Sequence, residues 1–380
     1  MEKVSVLEVS SIRNQSVELF TGTKKYVATG DVDEQAIETF TEITYDNRPS
    51  RANIEVKLGQ VLFARMKGTN KVIQIDESNQ DYIYSTGFCV LEPSELVTTD
   101  YLRVFLKSDL FQIQKDKHSK GATQKAINNE GISKIKIPLP PLETQKKIVE
   151  ALDKAQVLID ARKEQIRLMD ELVKSQFIEM FGDQKSNPMN WDDGTIRDIV
   201  SEVKYGTSKP AIDGGNYKYL RMNNITYEGE LDLTSLKYID MDDDEYEKYV
   251  VRKGDVLFNR TNSKELVGKT CVFDYKEEMI IAGYIIRVRV NEKAVPEYLS
   301  AFLNSKYGKE KLFSMCKAIV GQANINAQEL QDIKVLIPPN TLQAEFAKIK
   351  EKVNIEKSKL ENNLNEIITI QQALMQQYFG

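Results

Sequence analysis

The chain has 380 residues, which exceeds one ordinary hydrophobic core and predicts two domains with connecting segments. Hydrophobic residues make up 41% of the chain and charged residues 29%, as in a globular protein, and no apolar run reaches the roughly 18 residues that cross a bilayer. The net charge of −5 argues mildly against nucleic-acid binding, because a phosphate-binding surface must be locally positive.

Three cysteines, Cys89, Cys271 and Cys316, lie far apart and without the spacing of metal ligands. The N-terminal segment has no apolar core of a signal peptide. We therefore expect reduced thiols in a cytoplasmic protein with no membrane partner.

Basic residues cluster despite the acidic total. Residues 57–71 contain four Lys/Arg and no acid, and residues 103–136 contain eight Lys/Arg against three acids. Residues 248–269 contain six Lys/Arg against two acids. The net charge therefore leaves room for basic faces that could contact phosphate, with an ordinary solvated surface as the alternative.

The first half of the chain begins with short apolar and β-branched runs, such as 61–63 and 72–75, that predict strands. A short helix is predicted over 101–113. The proline segment 135–141 ends this mixed region, because a residue before proline prefers extended backbone. A long helix is predicted from about 143 to 180.

The second half repeats this order. Strands are predicted across 280–288, a short helix over 297–313, a proline segment at 333–339 and a long helix from about 343 to 378. Short matches in the same order support a duplication: 57–65 with 252–260, 121–124 with 321–324, 135–141 with 333–339, and Phe181-Gly182 with Phe379-Gly380. A weaker match aligns 6–9 with 196–199.

Each long helix carries an apolar stripe at heptad spacing, which is typical of a coiled-coil seam. The first stripe is Ile148, Leu152, Ala155, Ile159, Arg162, Ile166, Met169, Val173, Gln176 and Met180. The second is Phe346, Ile349, Val353, Glu356, Leu360, Asn363, Ile367, Ile370, Leu374 and Gln377. We expect the two stripes to pack against each other antiparallel; the alternative is that each helix packs on its own domain.

An antiparallel helix pair between duplicated domains predicts a pseudo-twofold axis and brings the C-terminus close to the N-terminus. Double-helical DNA has the same local symmetry, and proteins with twofold symmetry recognise half-sites at a set spacing. Because the two halves differ in sequence, we expect an asymmetric site in two parts.

Catalytic motifs are scarce. His118 is the single histidine, which excludes clusters of His ligands and favours a surface or phosphate contact. Residues 267–270 resemble the end of a phosphate-binding loop, but Ser263 stands where that loop needs glycine. Residues 187–190 resemble the Asn-Pro-Pro-aromatic motif of amino-methyltransferases without its second proline or its aromatic residue.

Two motifs carry a family resemblance. Lys-x-Gly-x-Val-Leu-Phe-x-Arg ends at Arg65, and Ile-Pro-Leu-Pro-Pro-Leu-Glu-x-Gln spans 137–145 before a long helix. The second copy of the proline motif departs from this pattern but still ends in glutamine, at Gln343. With its half-repeats, essentially the whole chain resembles the specificity subunits of type I restriction–modification systems.

The resemblance implies an α+β fold with two similar mixed α/β target-recognition domains, related by a pseudo-twofold axis and separated by two long helices in an antiparallel coiled coil. The implied domains are 1–141 and 183–339, with spacer helices at 142–182 and 340–380. Each domain would recognise one part of a split sequence in double-stranded DNA, and the helices would dock two methyltransferase subunits. No cofactor is expected in this chain, whereas partner subunits, including a restriction subunit that translocates DNA, would bind S-adenosylmethionine, ATP and Mg²⁺.

Side chains that contact bases are Arg, Lys, Asn and Gln, and phosphates are contacted by basic, hydroxyl and amide groups. The candidates in the first half are Arg65, Lys67, Thr69, Asn70, Lys71, His118, Lys120, Thr123, Gln124 and Lys125. Those in the second half are Tyr205, Arg221, Asn223, Asn224, Asn259, Arg260, Thr261, Asn262, Lys264, Gln322, Asn324 and Asn326. Ordinary turn chemistry, solvated charge and, for the matching arginines, bracing of the fold are the alternatives.

Two other classes of function remain open. A coiled-coil scaffold or adaptor without DNA specificity explains the helices but not two diverged copies of a strand-rich domain. A complete methylase or nuclease would need cofactor motifs that the sequence lacks.

Overall fold

The computed structural model describes residues 2–33, 36–263, 266–316 and 323–380. These residues form two compact units: unit 1 is Met1–Arg162 with Asn363–Gly380, and unit 2 is Lys163–Asn362. Each unit contains one mixed α/β domain and a segment of each long helix. The predicted fold class, with two similar mixed domains and two long helices, is confirmed, while the predicted domain bounds stay a prediction.

The helices follow the order expected from the duplication. They are α1 Val6–Val9, α2 Thr99–Lys107, α3 Asp109–His118, α4 Asn129–Ser133, α5 Leu142–Phe181, α6 Asp243–Tyr249, α7 Pro296–Asn304, α8 Lys306–Met315, α9 Ala327–Gln331 and α10 Asn340–Phe379, with 3₁₀ turns at Thr29–Asp31, Ile196–Ile199 and Met222–Asn224.

The strands of unit 1 are β1 Lys3–Ser5, β2 Ser10–Ile12, β3 Lys24–Val27, β4 Val32–Asp33, β5 Ala36–Ile37, β6 Thr41–Ile43, β7 Ala52–Ile54, β8 Val61–Ala64, β9 Val72–Gln74, β10 Ile83–Ser85, β11 Phe88–Pro93 and β12 Lys136–Pro138. Those of unit 2 are β13 Asp192–Thr195, β14 Val200–Tyr205, β15 Tyr217–Leu220, β16 Lys237–Ile239, β17 Val250–Val251, β18 Val256–Asn259, β19 Thr261–Asn262, β20 Thr270–Val272, β21 Met279–Ile281, β22 Ile285–Val290, β23 Ala323–Asn324 and β24 Lys334–Ile337.

The two units have the same sheet topology. In unit 1 the four-stranded sheets have the orders β2-β11-β8-β9 and β6-β3-β10-β7, and β1 pairs with β12. In unit 2 the corresponding orders are β14-β22-β18-β20 and β16-β15-β21-β17, and β13 pairs with β24. Even the parallel pairs correspond, since β3 runs parallel to β10 and β15 runs parallel to β21. The duplication is therefore present in the backbone as well as in the sequence.

Corresponding hydrogen bonds confirm the weakest of the sequence matches, 6–9 with 196–199. The Val6 N–H donates to the Ile135 carbonyl at 2.9 Å, and the Ile196 N–H donates to the Ile333 carbonyl at 2.9 Å. Both segments also begin with the same capping bond: the Ser5 N–H donates to the Glu8 carboxylate at 2.8 Å, and the Thr195 N–H donates to the Asp198 carboxylate at 2.8 Å.

The predicted helices over 101–113 and 297–313 are each wrong in one respect, because each is broken into two. Ser108 separates α2 from α3, and Ser305 separates α7 from α8. Each serine has extended backbone, accepts a hydrogen bond from the new helix and donates one to the carbonyl at the end of the old helix. A serine that caps a helix in this way starts a second helix in a new direction.

The glutamine that closes each proline motif is buried at the start of a long helix. Gln145 accepts from the Thr98 N–H at 3.0 Å and donates to the carbonyls of Leu96 and Pro140, both at 2.9 Å. Gln343 makes the same set of contacts, accepting from the Val295 N–H at 2.9 Å and donating to residues 293 and 338. This glutamine joint ties the long helix both to the proline segment and to the loop before α2 or α7.

The main core of each unit lies between its first four-stranded sheet and the neighbouring helices. In unit 1 the long helices contribute Ile148, Leu152 and Phe379 to this core. In unit 2 they contribute Phe177, Phe181 and Phe346, with the rings of Phe177 and Phe346 5.6 Å apart. Phe181 and Phe379, matched in the sequence, thus have the same role at the C-terminal ends of α5 and α10.

The long helices pack antiparallel within each unit, as predicted. In unit 1, Arg162 donates to Asn363 at 2.8 Å and Gln371 donates to Gln156 at 3.1 Å, so the partner number falls as the first number rises. In unit 2, Lys357 lies 2.7 Å from Asp170. The Lys3 ammonium also lies 3.4 Å from the Gly380 carbonyl, which agrees with the expected closeness of the two ends.

The first predicted stripe is confirmed, since all ten of its positions are buried or half-buried. The second stripe is wrong at Glu356, Ile370 and Gln377, which are exposed. Lys357 and Gln371 point inward instead, and their polar side chains are paired there. The heptad spacing of the second stripe is confirmed, but at these three places the inward position is one residue later in the chain. The prediction chose apolar residues, and some of the inward positions are polar.

Candidate nucleic-acid interface

Two segments of unit 1 form one exposed surface. The turn after β8, residues 66–70, meets the loop 120–125, because the Lys67 N–H donates to the Lys125 carbonyl at 2.9 Å. Lys120 and Ala126 close the base of the loop with two hydrogen bonds of 3.0 Å. We call Lys67, Lys120, Thr123, Gln124 and Lys125 the basic loop surface.

The basic loop surface holds side chains that solvent reaches. Residues 121–125 are all exposed, and within the described part of the chain the side chains of Thr123, Gln124 and Lys125 make no hydrogen bond. Gly121 has φ 139°, and an added Cβ would lie 2.3 Å from the Gln124 carbonyl oxygen, so the tight loop needs glycine there. Cationic and amide groups are thus displayed on a fixed loop.

Glu130 is an acidic side chain beside this surface, and two lysines share it. Glu130 pairs with Lys134 at 2.6 Å and with Lys120 at 3.4 Å. The hydrogen bonds from Lys134 and then Lys120 hold the pKa of the Glu130 carboxyl below its usual value. Lys115 is buried below the turn and donates to the Thr69 carbonyl, and burial lowers the pKa of its ammonium to about 8.

The other candidates of unit 1 make contacts within the fold. Arg65 donates to the carbonyls of Phe88 at 3.3 Å and Ile127 at 3.2 Å, and to the Asn129 side chain at 3.0 Å. The remaining ones bond to backbone carbonyls of the fold or end a helix: Lys71 donates to Thr29, Thr69 to Met66 and Asn70 to Lys107, and His118 is the last residue of α3.

In unit 2, β19 and β23 stand where the turn and the loop meet in unit 1. Thr261 pairs with Asn324, and its hydroxyl donates to the Asn324 amide oxygen at 3.0 Å. The corresponding bridge of unit 1 joins Met66 to Ala126. The predicted match of 121–124 with 321–324 is therefore wrong, since Asn324 corresponds to Ala126 and not to Gln124.

Several amide candidates of unit 2 serve the fold. Asn259 is fully buried, Asn224 accepts from the Arg221 N–H at 2.9 Å, and Asn326 caps α9. Arg221 donates to the Ser235 carbonyl at 3.1 Å, whereas Asn223 is exposed. Asn262 is half-buried in β19 and accepts from the Ser263 N–H at 2.8 Å. Lys264 and Gln322 lie outside the described residues.

Tyr205 and Arg260 come together at the end of the sheet β14-β22-β18-β20. The guanidinium carbon of Arg260 lies 4.8 Å from the centre of the Tyr205 ring. The backbone N–H of Arg260 donates to the backbone carbonyl of Tyr284, whose side chain is exposed. Tyr284 could not be recognised as a candidate from its neighbours because it lies inside the apolar run 280–288, although the preceding Gly283 could have indicated a turn between two strands.

Among the described residues, no group of three or more His, Cys, Asp or Glu side chains is placed to hold a metal ion. No helix in the described ranges is both long enough and apolar enough to cross a membrane.

The profile described as "Type I restriction modification DNA specificity domain" matches twice, at residues 5–168 and 188–369. The chain belongs to the type I restriction–modification DNA specificity family. The two matches fall one on each of the two repeated halves, so the family's domain occurs twice in this chain.

Curated relatives carry the same family name. The chain is 26% identical over 300 residues to the type I restriction enzyme EcoKI specificity subunit of Escherichia coli K12, which covers 74% of this chain and 64% of that subunit. It is 24% identical over 308 residues to the StySPI specificity subunit of Salmonella potsdam, covering 76% of this chain and 66% of that one. The chain thus spans somewhat less than two thirds of the length of these relatives.

Solved structures share the fold. A chain from a study of complex assembly and conformational transition in the type I restriction–modification system has a TM-score of 0.59 at 21% identity, covering 100% of this chain and 97% of that chain. The S subunit of a type I system from M. genitalium has a TM-score of 0.57 at 14% identity, covering 100% and 96%. At these identities the likeness establishes the fold.

Proposed function

We propose that this chain is the DNA-recognising, non-catalytic specificity subunit of a type I complex. Unit 1 and unit 2 each recognise one part of an asymmetric, split site in double-stranded DNA. The long helices dock two methyltransferase subunits, and restriction subunits join the same complex.

The observation that carries this proposal is that the two units share one backbone frame but differ in the side chains at the equivalent surface. The sheet orders, helix breaks and glutamine joints are the same in both. At the equivalent surface, however, Met66 and Ala126 of unit 1 stand where unit 2 has Thr261 and Asn324. One frame with two chemically different surfaces is suited to recognising two different base sequences.

The basic loop surface supplies the chemistry that DNA contact needs in unit 1. Its lysines are exposed, as phosphate contacts require, while Gln124 and Thr123 can reach base edges. Such a surface also explains how an acidic chain could bind DNA, because the positive charge is local.

Exposed apolar side chains on the long helices support the docking role. Val157 and Leu158 of unit 1 are 67% and 51% exposed, and Leu172 and Ile178 of unit 2 are 43% and 59% exposed. Ile370, predicted to face inward, is also exposed. Large apolar side chains in solvent on a regular helix are a feature of protein–protein contact surfaces.

The proposal assigns no chemical step to this chain. S-adenosylmethionine, ATP and Mg²⁺ would be bound by partner subunits, and the purified chain alone should transfer no methyl group to DNA. Methyl transfer by the chain without a partner would contradict this part of the proposal.

The deciding experiment is co-expression with a methyltransferase subunit encoded beside it, followed by mapping of methylated adenines by long-read sequencing. We expect one split, asymmetric motif that disappears when this chain is omitted. A complex that assembles fully but methylates without a motif would refute DNA specificity and favour the scaffold function.

A matched pair of variants tests the basic loop surface. Lys125→Gln should weaken DNA binding by the complex and reduce the slope of its salt dependence by about one ion if Lys125 contacts a phosphate. Lys57→Gln is the control, because Lys57 is also exposed but precedes β8, whereas Arg65 and the basic loop surface lie at the other end of that strand. Equal effects of the two variants would contradict the assignment of the surface.

A further inference from the structure

Three residues of unit 2 converge at one end of the sheet β14-β22-β18-β20. Tyr205 ends β14, Tyr284 precedes β22 and Arg260 follows β18. The side chains of Tyr205 and Tyr284 are 40% and 52% exposed, and Arg260 is half-buried against the Tyr205 ring. The cluster therefore places the Arg260 guanidinium against one tyrosine ring, and a second exposed tyrosine lies at the same end of the sheet.

Tyr205 is fixed in place before any ligand binds. Its hydroxyl accepts a hydrogen bond from the Ala327 N–H, at the start of α9, at 2.8 Å. The next residue, Gly206, is so close to β21 that an added Cβ would lie 2.3 Å from the carbonyl oxygens of Ile281 and Ala282. The ring is thus a rigid platform, and a cation stacked on it loses little freedom when it binds a ligand.

The Arg260 guanidinium has no polar partner among the described residues. Its Nε is buried without a hydrogen bond, and no bond or ion pair joins its terminal nitrogens to the described part of the protein. A buried donor without a partner among these residues indicates a position that another group completes.

Arg65, at the same position of unit 1, is fully engaged. Its guanidinium donates to two carbonyls and to Asn129. Ala327 stands at the Asn129 position in unit 2 and offers no side-chain acceptor, and Gly87 stands at the Tyr284 position in unit 1 and offers no ring. The two corresponding arginines therefore differ: Arg65 braces the fold of unit 1, whereas Arg260 has no polar side-chain partner among the residues that the structure describes.

Resting on the proposed function, we propose that Arg260, stacked on Tyr205, recognises a guanine in the half-site read by unit 2, whereas Arg65 only supports the fold of unit 1. The two terminal nitrogens of a planar guanidinium match the O6 and N7 acceptors of guanine in the major groove. Thr261 and Asn324, the next polar side chains on β19 and β23, add hydroxyl and amide groups suited to base edges rather than further positive charge.

The test compares methylation motifs of complexes assembled on the wild-type chain and on Arg260→Ala, Arg260→Lys and Arg65→Ala. The half-site that responds to Gln124→Ala belongs to unit 1, so the other belongs to unit 2. We expect a guanine in the unit 2 half-site, and both Arg260 variants should lower its preference over other bases by about 5- to 150-fold. Other positions of the motif should stay unchanged, and Arg65→Ala should reduce thermal stability without altering the motif.

Two further variants keep the test independent of folding defects at Arg260. Tyr205→Leu removes the platform and should relax the same position, whereas Tyr205→Phe keeps the ring and should relax it less. Ala327→Asn gives Arg260 the acceptor that Arg65 has in unit 1, and should withdraw it from the guanine.

A failure of the proposed function and a failure of the role of Arg260 give different results. A wild-type complex with no motif refutes the proposed function itself. A motif without guanine in the unit 2 half-site refutes the role of Arg260 alone. Full guanine preference in Arg260→Lys, with binding weakened equally on all sequences, would make Arg260 a phosphate contact and overturn the proposal. An unchanged motif in both Tyr205→Leu and Ala327→Asn would also overturn it.

Discussion

Lys357 is a buried charge inside the helix pair of unit 2. Its side chain is 7% exposed, and its ammonium lies 2.7 Å from both the Asp170 and Glu230 carboxylates. Burial lowers the pKa of this lysine, but the hydrogen bonds to Asp170 and Glu230 outweigh burial and raise it. The cation therefore joins α10 to α5 and to the segment that follows the 3₁₀ turn Met222–Asn224.

Lys357→Met keeps the length of the side chain and removes its charge, which leaves two carboxylates without their partner. Breaking a fully buried pair costs about 3–5 kcal/mol of the free energy of unfolding. Because Asp170 and Glu230 are 30% and 42% exposed, water can solvate part of their charge. We therefore expect a loss of about 2–3 kcal/mol, below the fully buried range.

The single tryptophan makes this loss measurable in unit 2 alone. Trp191 lies in unit 2, where its indole N–H donates to the Phe181 carbonyl at 3.1 Å. Its fluorescence in urea should report the unfolding of this unit. With a denaturant slope of about 2 kcal/mol per molar, Lys357→Met should lower the midpoint by roughly 1–1.5 M.

Lys359→Met is the matched control on the same helix. Lys359 pairs with Glu356 at 2.7 Å, but both side chains are more than half exposed, so its loss should cost less than about 1 kcal/mol. In the double variant Lys357→Met with Asp170→Leu, one stranded carboxylate is gone and part of the stability should return. Equal midpoint shifts for Lys357→Met and Lys359→Met would refute the reasoning.

Three further changes test other features. Gln343→Ala should destabilise unit 2 by about 2–3 kcal/mol by Trp191 fluorescence, because buried backbone groups lose their partner. The control Gln328→Ala, an exposed glutamine of the same unit, should cost less than about 1 kcal/mol. Burial lowers the pKa of Lys115 to about 8 in the folded protein, so above that pH the unfolded chain binds more protons than the folded one. The free energy of unfolding, followed by circular dichroism, should therefore rise between about pH 8 and 10. Lys115→Met should flatten this rise. Gly206→Ala should lower the melting temperature in calorimetry, since its Cβ would contact two carbonyl oxygens.

Each of these three predictions would be contradicted by a specific result. Equal stability of the two glutamine variants would mean that the joint is replaceable by water. A wild-type stability that falls from pH 8 to 10, or a Lys115→Met variant with the same rise as wild type, would contradict a depressed lysine pKa in the folded state. A melting temperature unchanged in Gly206→Ala would mean that the strands separate at that point without cost.

Much of the fold could be predicted because the sequence presents its evidence twice. The long helices were predicted within a few residues, since a heptad pattern sustained over ten positions has one simple interpretation. The division of 280–288 between two sheets was not predicted, because an apolar run does not show where its strand leaves one sheet for another. Ser108 and Ser305 break helices that looked continuous, since a serine is compatible with both a helix and a cap.

The site was less predictable than the fold. Asn224 and Asn326 were chosen as polar residues near loops, yet the structure uses them to satisfy backbone groups. Local sequence cannot separate these roles, because asparagine suits both base contact and capping. The contrast between Arg65 and Arg260 depends on Asn129 and Ala327, which lie more than sixty residues away in the chain.

The glutamine joint also shows that each mixed α/β domain depends on the first turns of the long helix that follows it. Gln145 belongs to the first turns of α5 but holds the loop at Leu96 and Thr98, so a cut between strand β12 and helix α5 would separate the side chain from its partners. A graft that carries the chain through Gln145 keeps those bonds internal to the inserted piece. Because Gln343 makes the same bonds at the second joint, we expect the two junctions to accept the same kind of insert.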